Sequence, residues 1–369
     1  MKAMLRFRNL LLLALVCSAP AVWAARGGFP LVRGGRPTPV CYLGGERVVE
    51  TALAIYTADA ERVAGEAPGR REVPGAGTVV VGSLSERERL DPLLRAWGVS
   101  AEALEGRWEA FRICEASRDG QRALFVVGSD PRGTAYGVLE LSRLVGVSPW
   151  EWWADVTPRS ARAVTLAAGY DRTEAPSVQY RGIFLNDEDW GLDPWGTRYE
   201  GSSVAGELGP KTYSRIFELL LRLRANTIWP AMHASTVAFY KVPGNREAAE
   251  RYGIVVGTSH CEPMMRNNVG EWDAERYGEY NFAANRAGVL RYWRERVLEV
   301  ADDENIFTLG MRGIHDGEMA GAVTLDEQTA LTNEVIRAQR QLLSAELHRP
   351  VGDIPQTFVP YKEVLDIYD

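Results

Sequence analysis

Tyr180-Arg181-Gly182-Ile183-Phe184-Leu185-Asn186-Asp187-Glu188-Asp189-Trp190 sets the reading of the whole chain. A short apolar run ends abruptly in three consecutive acids and a tryptophan. A strand alternates its faces, so Asp187 and Asp189 would share one side and Glu188 the other. Acids packed this closely repel, and they persist where solvent, a cation or a substrate meets them. Taken alone, the triplet reads as a solvated turn after a strand. Downstream, however, the same arrangement recurs four more times.

From Tyr180 onward, strand patterns alternate with helical ones. Asn226–Ala231, Gly253–Thr258, Asn305–Gly310 and Ile354–Val359 are short apolar runs with β-formers. Between them, Lys211–Arg224, Glu247–Tyr252, Phe282–Val300 and Leu325–Leu347 carry apolar residues at helical spacing. Repeated units of this kind imply parallel strands joined by crossover helices, in an open sheet or a (β/α)8 barrel. Each strand ends in chemistry. Asp187 and Asp189 follow the first and His233 the second. His260 and Glu262 follow the third, then Arg312, His315, Asp316 and Glu318 the fourth, and Tyr361 and Glu363 the fifth. In barrels the C-terminal strand edge carries the active site.

Upstream, residues 28–175 read as a first α/β unit. Gly77–Gly82 and Arg122–Gly128 are strand candidates, Phe111–Cys114 a weaker one, and Thr134–Leu144 a helix entered through Asp130-Pro131. Their glycines form neither a dinucleotide fingerprint nor a phosphate loop. Pro149-Trp150-Glu151-Trp152-Trp153-Ala154-Asp155 is an aromatic cluster that fits a domain-interface plug or a carbohydrate rim equally well. Thr173-Glu174-Ala175-Pro176 reads as a linker. The expected domains are therefore a signal peptide over 1–24, an α/β domain over 25–176 and a barrel over 177–369.

The first 24 residues have a basic n-region (Lys2, Arg6, Arg8), a short apolar core and Val22-Trp23-Ala24 as a cleavage site, so a secreted or periplasmic protein is expected. Removing three cations and no acids takes the net charge from −7 to −10. That balance, without basic clusters, argues against nucleic acid as a partner, and no apolar run is long enough to span a membrane. Cys41, Cys114 and Cys261 are too few and too scattered for a disulfide framework, and no zinc spacing exists. Cys261 beside His260 reads as a small buried hydrophobe before it reads as a nucleophile.

Converging carboxylates beside aromatic residues suit glycosidic hydrolysis, where one acid protonates the leaving oxygen and one carboxylate activates water or attacks the sugar. Arg312 offers a planar fork for an anionic substrate group, or for Asp316 or Glu318. His233, His260, Asp316 and Glu318 are also compatible with a metal-dependent barrel hydrolase. A non-catalytic carbohydrate-binding protein would explain the tryptophans but not the surplus of acids.

Tyr180–Gly191, Trp229-Pro230-Ala231-Met232-His233, His260-Cys261-Glu262-Pro263-Met264, Met311–Met319 and Val359–Val364 resemble, in order, the motifs of glycoside hydrolase family 115, the xylan α-1,2-glucuronidases. The resemblance implies an N-terminal α/β domain followed by a (β/α)8 TIM-type barrel. It also implies inverting removal of glucuronic acid or its 4-O-methyl form from glucuronoxylan, with no cofactor and no metal. Carried residue by residue, it makes Asp316, Glu363, Asp189 and Asp187 the catalytic candidates. Trp190, His233, His260, Glu262, Arg312, Glu318 and Tyr361 become the substrate-binding candidates. Family members are longer, and a homodimer is compatible with the full-length protein. The expectation is thus a barrel truncated after about five strand–helix units. With one parallel edge and an apolar interior left open, such a fragment is not expected to fold stably alone.

Overall fold

A computed structural model describes residues 27–186 and 188–367; the expected signal peptide and the candidate Asp187 lie outside the described residues. The first unit opens with β1 (Pro30–Arg33) and β2 (Arg36–Pro37), followed by β3 (Val40–Tyr42), α1 (Arg47–Ala64), β4 (Val79–Ser83) and α2 (Arg87–Trp97). It continues through the hairpin β5 (Phe111–Arg118) and β6 (Gln121–Gly128), α3 (Pro131–Leu144), β7 (Ala163–Thr165) and β8 (Asp171–Glu174). One sheet has the order β3-β4-β6-β5-β8, with β3, β4 and β6 parallel and the last two strands antiparallel; β2-β1-β7 form a small antiparallel sheet. β4 is buried throughout because both faces are covered. Val79 and Val81 pack into the core with α1 and α3, while Val80 faces Leu90, Leu94 and Trp97 of α2.

α3 starts where Asp130-Pro131 predicts. The Asp130 carboxylate accepts from the Gly133 N–H at 2.8 Å and proline takes the first turn. α1 is not among the expected elements, although Val48, Val49, Ala52, Leu53, Tyr56, Ala60 and Val63 recur at helical spacing along its buried face. The expected linker is corrected in part. Thr173 and Glu174 belong to the edge strand β8, and the irregular chain begins only after them.

The second unit repeats strand and helix. It runs β9 (Gly182–Phe184), α4 (Leu192–Glu200), α5 (Pro210–Arg222), β10 (Thr227–Trp229), α6 (Asn245–Tyr252) and β11 (Val255–Val256). Then come α7 (Asn268–Glu271), α8 (Ala274–Tyr277), α9 (Arg286–Glu299), β12 (Phe307–Leu309), α10 (Leu325–Leu347) and β13 (Gln356–Phe358). β9, β10 and β11 pair in parallel, as do β12 and β13, and a parallel bridge between Val256 and Asn305 joins the two sets. The strands therefore lie side by side in chain order. Residues of the first and last, Ile183, Phe184 and Thr357, line one cavity of ≈ 500 Å³. The expected barrel is corrected to this extent: β9 and β13 do not pair with each other, and no closed barrel forms among the described residues. No helix among them is long and apolar enough to cross a membrane.

Buried acids of the first unit hold the N-terminal ends of these strands. Glu109 receives Asn226 Nδ2 at 2.8 and 3.0 Å, Arg132 Nε at 2.6 Å and the guanidinium of Arg181. Asp59 of α1, fully buried, receives Arg222 of α5 at 2.6 and 3.0 Å. With one strand edge so pinned, the opposite edge is left for the site.

Candidate active site

The chemistry-bearing loops follow β9 to β13, and their backbones are shaped unusually. Met264, Met265, His315 and Lys362 all have positive φ, between 51° and 63°. Non-glycine residues tolerate that region only where surrounding structure enforces it, a condition met most often at functional sites.

Asp316 is the hub. Its carboxylate accepts from the Arg312 guanidinium and the Lys362 ammonium, and His260 Nε2 lies 3.2 Å away. Arg312 is almost wholly buried and makes a bidentate pair with Glu363, Nε and Nη2 donating at 2.8 and 2.7 Å. One guanidinium thus stands between the two strongest catalytic candidates. The Tyr361 ring packs on His260, with centroids 4.4 Å apart, and lies beside both cations.

The electrostatics follow from this geometry. Partial burial pushes Asp316 up, but bonds from Lys362 and Arg312 outweigh it and hold the carboxyl well below its usual range. Glu363 is likewise raised by burial and lowered more strongly by Arg312. Burial lowers His260, only partly offset by Asp316, which favours the neutral ring. The Cys261 thiol lies 3.6 Å from Asp316 and is pushed up to about 12, chiefly by burial, so it is no thiolate nucleophile. Cys41, Cys114 and Cys261 are all free and buried.

A second group lies alongside. His233 Nδ1 is 3.1 Å from Asp189 Oδ1, and the His233 ring meets His315 edge-on at 5.8 Å. His233 is positioned by Glu188, whose Oε1 accepts from the N–H groups of Met232 (2.6 Å) and His233 (2.7 Å) and from the Thr236 hydroxyl (2.7 Å). Glu188 and Asp189 sit in a short 3-10 turn rather than a strand, so the expected alternation does not govern them: both carboxylates approach His233 Nδ1, at 3.8 and 3.1 Å, and the sequence gives no sign that Glu188 anchors the neighbouring loop. Lys362 is the other residue missed. Its only sequence signal is its place between Tyr361 and Glu363.

Other candidates fall elsewhere. Glu262 is not placed to touch a substrate. The turn Thr258–Glu262 folds its carboxylate inward, where it accepts from Ser259 N and Oγ at 3.3 and 3.0 Å, and burial pushes its pKa up to about 8. Glu318 is exposed on the loop that carries Asp316, and Trp190 is 85% exposed at the rim.

The sequence matches glycosyl hydrolase family 115 over residues 173–369. A solved structure of a family GH115 4-O-methyl-α-glucuronidase, BtGH115A, with specificity for decorated arabinogalactans, is 47% identical, covers 92% of this chain and superposes with a TM-score of 0.84. The chain belongs to glycosyl hydrolase family 115. This family-115 chain spans 44% of that relative's length. An N-acetyl-β-hexosaminidase of Streptomyces plicatus in complex with Thio-NAglucal is 11% identical with a TM-score of 0.50, covering 87% of this chain and 61% of its own, a likeness of fold alone. No curated protein matches.

Of the family-115 motifs, those after β11, β12 and β13 meet at Asp316, and those after β9 and β10 meet at His233. His260, Cys261 and Asp316 also lie close enough together to hold an ion. They do not suit one. Both Asp316 oxygens already face cations, and Cys261 keeps its proton.

Proposed function

We propose that this family-115 chain carries the catalytic centre of an α-glucuronidase that removes glucuronic acid, or its 4-O-methyl form, from a decorated polysaccharide such as glucuronoxylan, by an inverting mechanism. The observation that carries the reading is the cluster Asp316–Arg312–Glu363–Lys362. It brings together two acids for hydrolysis and two cations suited to a uronate carboxylate. One guanidinium stands between the two acids, and the inverting course is taken from the family resemblance; it requires a carboxylate separation of roughly 6.5–9.5 Å.

In this reading Asp316, kept ionised by Lys362, is the base. It takes a proton from water as the water oxygen attacks the anomeric carbon and the glycosidic C–O bond breaks. Glu363 is the acid. In the free site Arg312 holds it ionised. A bound uronate competes for Arg312, and burial then favours the protonated carboxyl, ready to protonate the leaving oxygen. His260 and Tyr361 line the site, and the Asp189–His233 pair contacts substrate beside it.

With the complete enzyme, Asp316→Asn and Glu363→Gln are each expected to lower kcat for glucuronate release by about 10²–10⁴-fold, with the β-anomer appearing first by proton NMR. Unchanged turnover in both variants sinks the assignment. The parallel, curved order β9 to β13 supports a (β/α)8 barrel of which this chain supplies the first part. Sugar release by the unextended chain would overturn the need for closure. Export is also proposed, and N-terminal sequencing of the secreted protein should begin at Ala25.

A further inference from the structure

A second pocket, of ≈ 830 Å³, opens where the two units meet and is built from aromatic rings: Trp152 and Trp153 from the loop after α3, and Trp195 and Tyr199 from α4. Trp195 and Tyr199 are four apart on one helix face, so their rings stack at 5.0 Å with 12° between planes. Trp152 stands edge-on to both, at 5.8 and 5.6 Å, and is fixed from behind by the Arg215 guanidinium 4.9 Å from its ring. Trp153 is held by its indole N–H donating to the Arg215 carbonyl at 3.2 Å. All four rings are only half-buried. A plug between domains would fill this space. Here the rings are rigidly braced around an opening of the size that binds small ligands.

The pocket's charges narrow the ligand class. Arg62 is paired with Glu151 at 2.6 Å and with Asp59 at 2.5 Å, and Asp155 is exposed among the lining residues. The lining thus sets two acids against one cation, a balance that disfavours a uronate. Aromatic faces with hydroxyl-bonding groups at the margin suit the C–H faces and hydroxyls of an uncharged sugar. The pocket also follows the site closely in the chain. Gly191 and Leu192, which line it, directly follow the turn that carries Asp189 and Trp190.

We propose that this pocket is a second carbohydrate site, which grips uncharged main-chain sugars of the polysaccharide whose uronate branch is cleaved at the Asp316 centre. The proposal rests on the glucuronidase reading for its choice of polymer, but not for its test. The complete enzyme is titrated by calorimetry with xylohexaose, with an uncharged linear galactan oligosaccharide and with glucuronic acid. A neutral oligosaccharide should bind. Trp195→Ala and, at the mouth, Asp155→Ala should each weaken that binding, the former at least tenfold, while Asp316→Asn leaves it unchanged. Glucuronic acid should show the reverse dependence. If neither neutral oligosaccharide binds, or if Trp195→Ala and Asp155→Ala bind as tightly as the parent, the proposal is overturned. A Trp195→Ala chain that loses melting temperature while the Asp155→Ala chain binds normally marks an interface plug and overturns it too. Neutral binding without any response to glucuronic acid keeps the pocket and refutes the uronate centre instead.

Discussion

Lys362 shows how a residue silent in the sequence sets the chemistry of another. Its ammonium, with Arg312, holds Asp316 below the usual carboxylate range. Lys362→Ala should therefore let the Asp316 pKa rise toward about 3.9, so the acid limb of kcat/KM moves to higher pH, and Lys362→Arg should move it back. A limb that stays in place would show that Lys362 is not the tuning group. The sign for stability is the same. A depressed carboxyl contributes stability that is complete above its unfolded pKa and is lost as pH falls through the folded value. Glu188 acts by geometry instead. Glu188→Ala leaves the N–H groups of Met232 and His233 without their acceptor and leaves the Thr236 hydroxyl only the His233 carbonyl. It should cost roughly 2–4 kcal/mol in urea unfolding and lower activity through a displaced His233. The identity of these acids and histidines was legible as a pattern at strand ends. Which of them pair was not, because Asp316 and Glu363 share Arg312 across 51 residues of chain.

Elements repeat the lesson. α10 spans Leu325–Leu347, the limits its sequence periodicity predicts, because the local signals agree. Thr324 caps Glu327 N, and the Glu327 carboxylate returns to Thr324 N at 3.0 Å. Thr324→Ala should cost about 1 kcal/mol by thermal denaturation, with no change in sugar binding. The parallel strands of the second unit were found in the right places but are shorter than their apolar runs, β11 only two residues long. Hydrophobic runs mark what is buried, whereas pairing ends where each loop turns toward the site. Gln339 of α10, for example, bonds both the N–H and the C=O of Gly310 just past β12. α4 was missed because Pro194 and Gly196 interrupt its pattern, yet Gly196 packs against Leu208, where a Cβ would clash.

At the scale of the whole molecule, the two units are joined through buried ion pairs rather than a seam of apolar residues alone. Asp59→Ala would leave Arg222 of α5 with Glu218 as its remaining bonded acid, since Glu151 stands 3.8 Å away. It should cost about 3 kcal/mol, read by urea unfolding, with faster hydrogen exchange in both α1 and α5. Equal stability would mean that the units dock without it. The sequence by itself determined the α/β class, the strand–helix alternation, the family and the candidate acids and histidines at the strand ends, because apolar periodicity and residue type are local properties. Only the tertiary structure decided that β9 and β13 do not pair among the described residues, that Glu262 turns inward, that Lys362 tunes Asp316 and that Trp152 meets Trp195. Each of those depends on contacts between residues distant in the chain, and no local pattern encodes them.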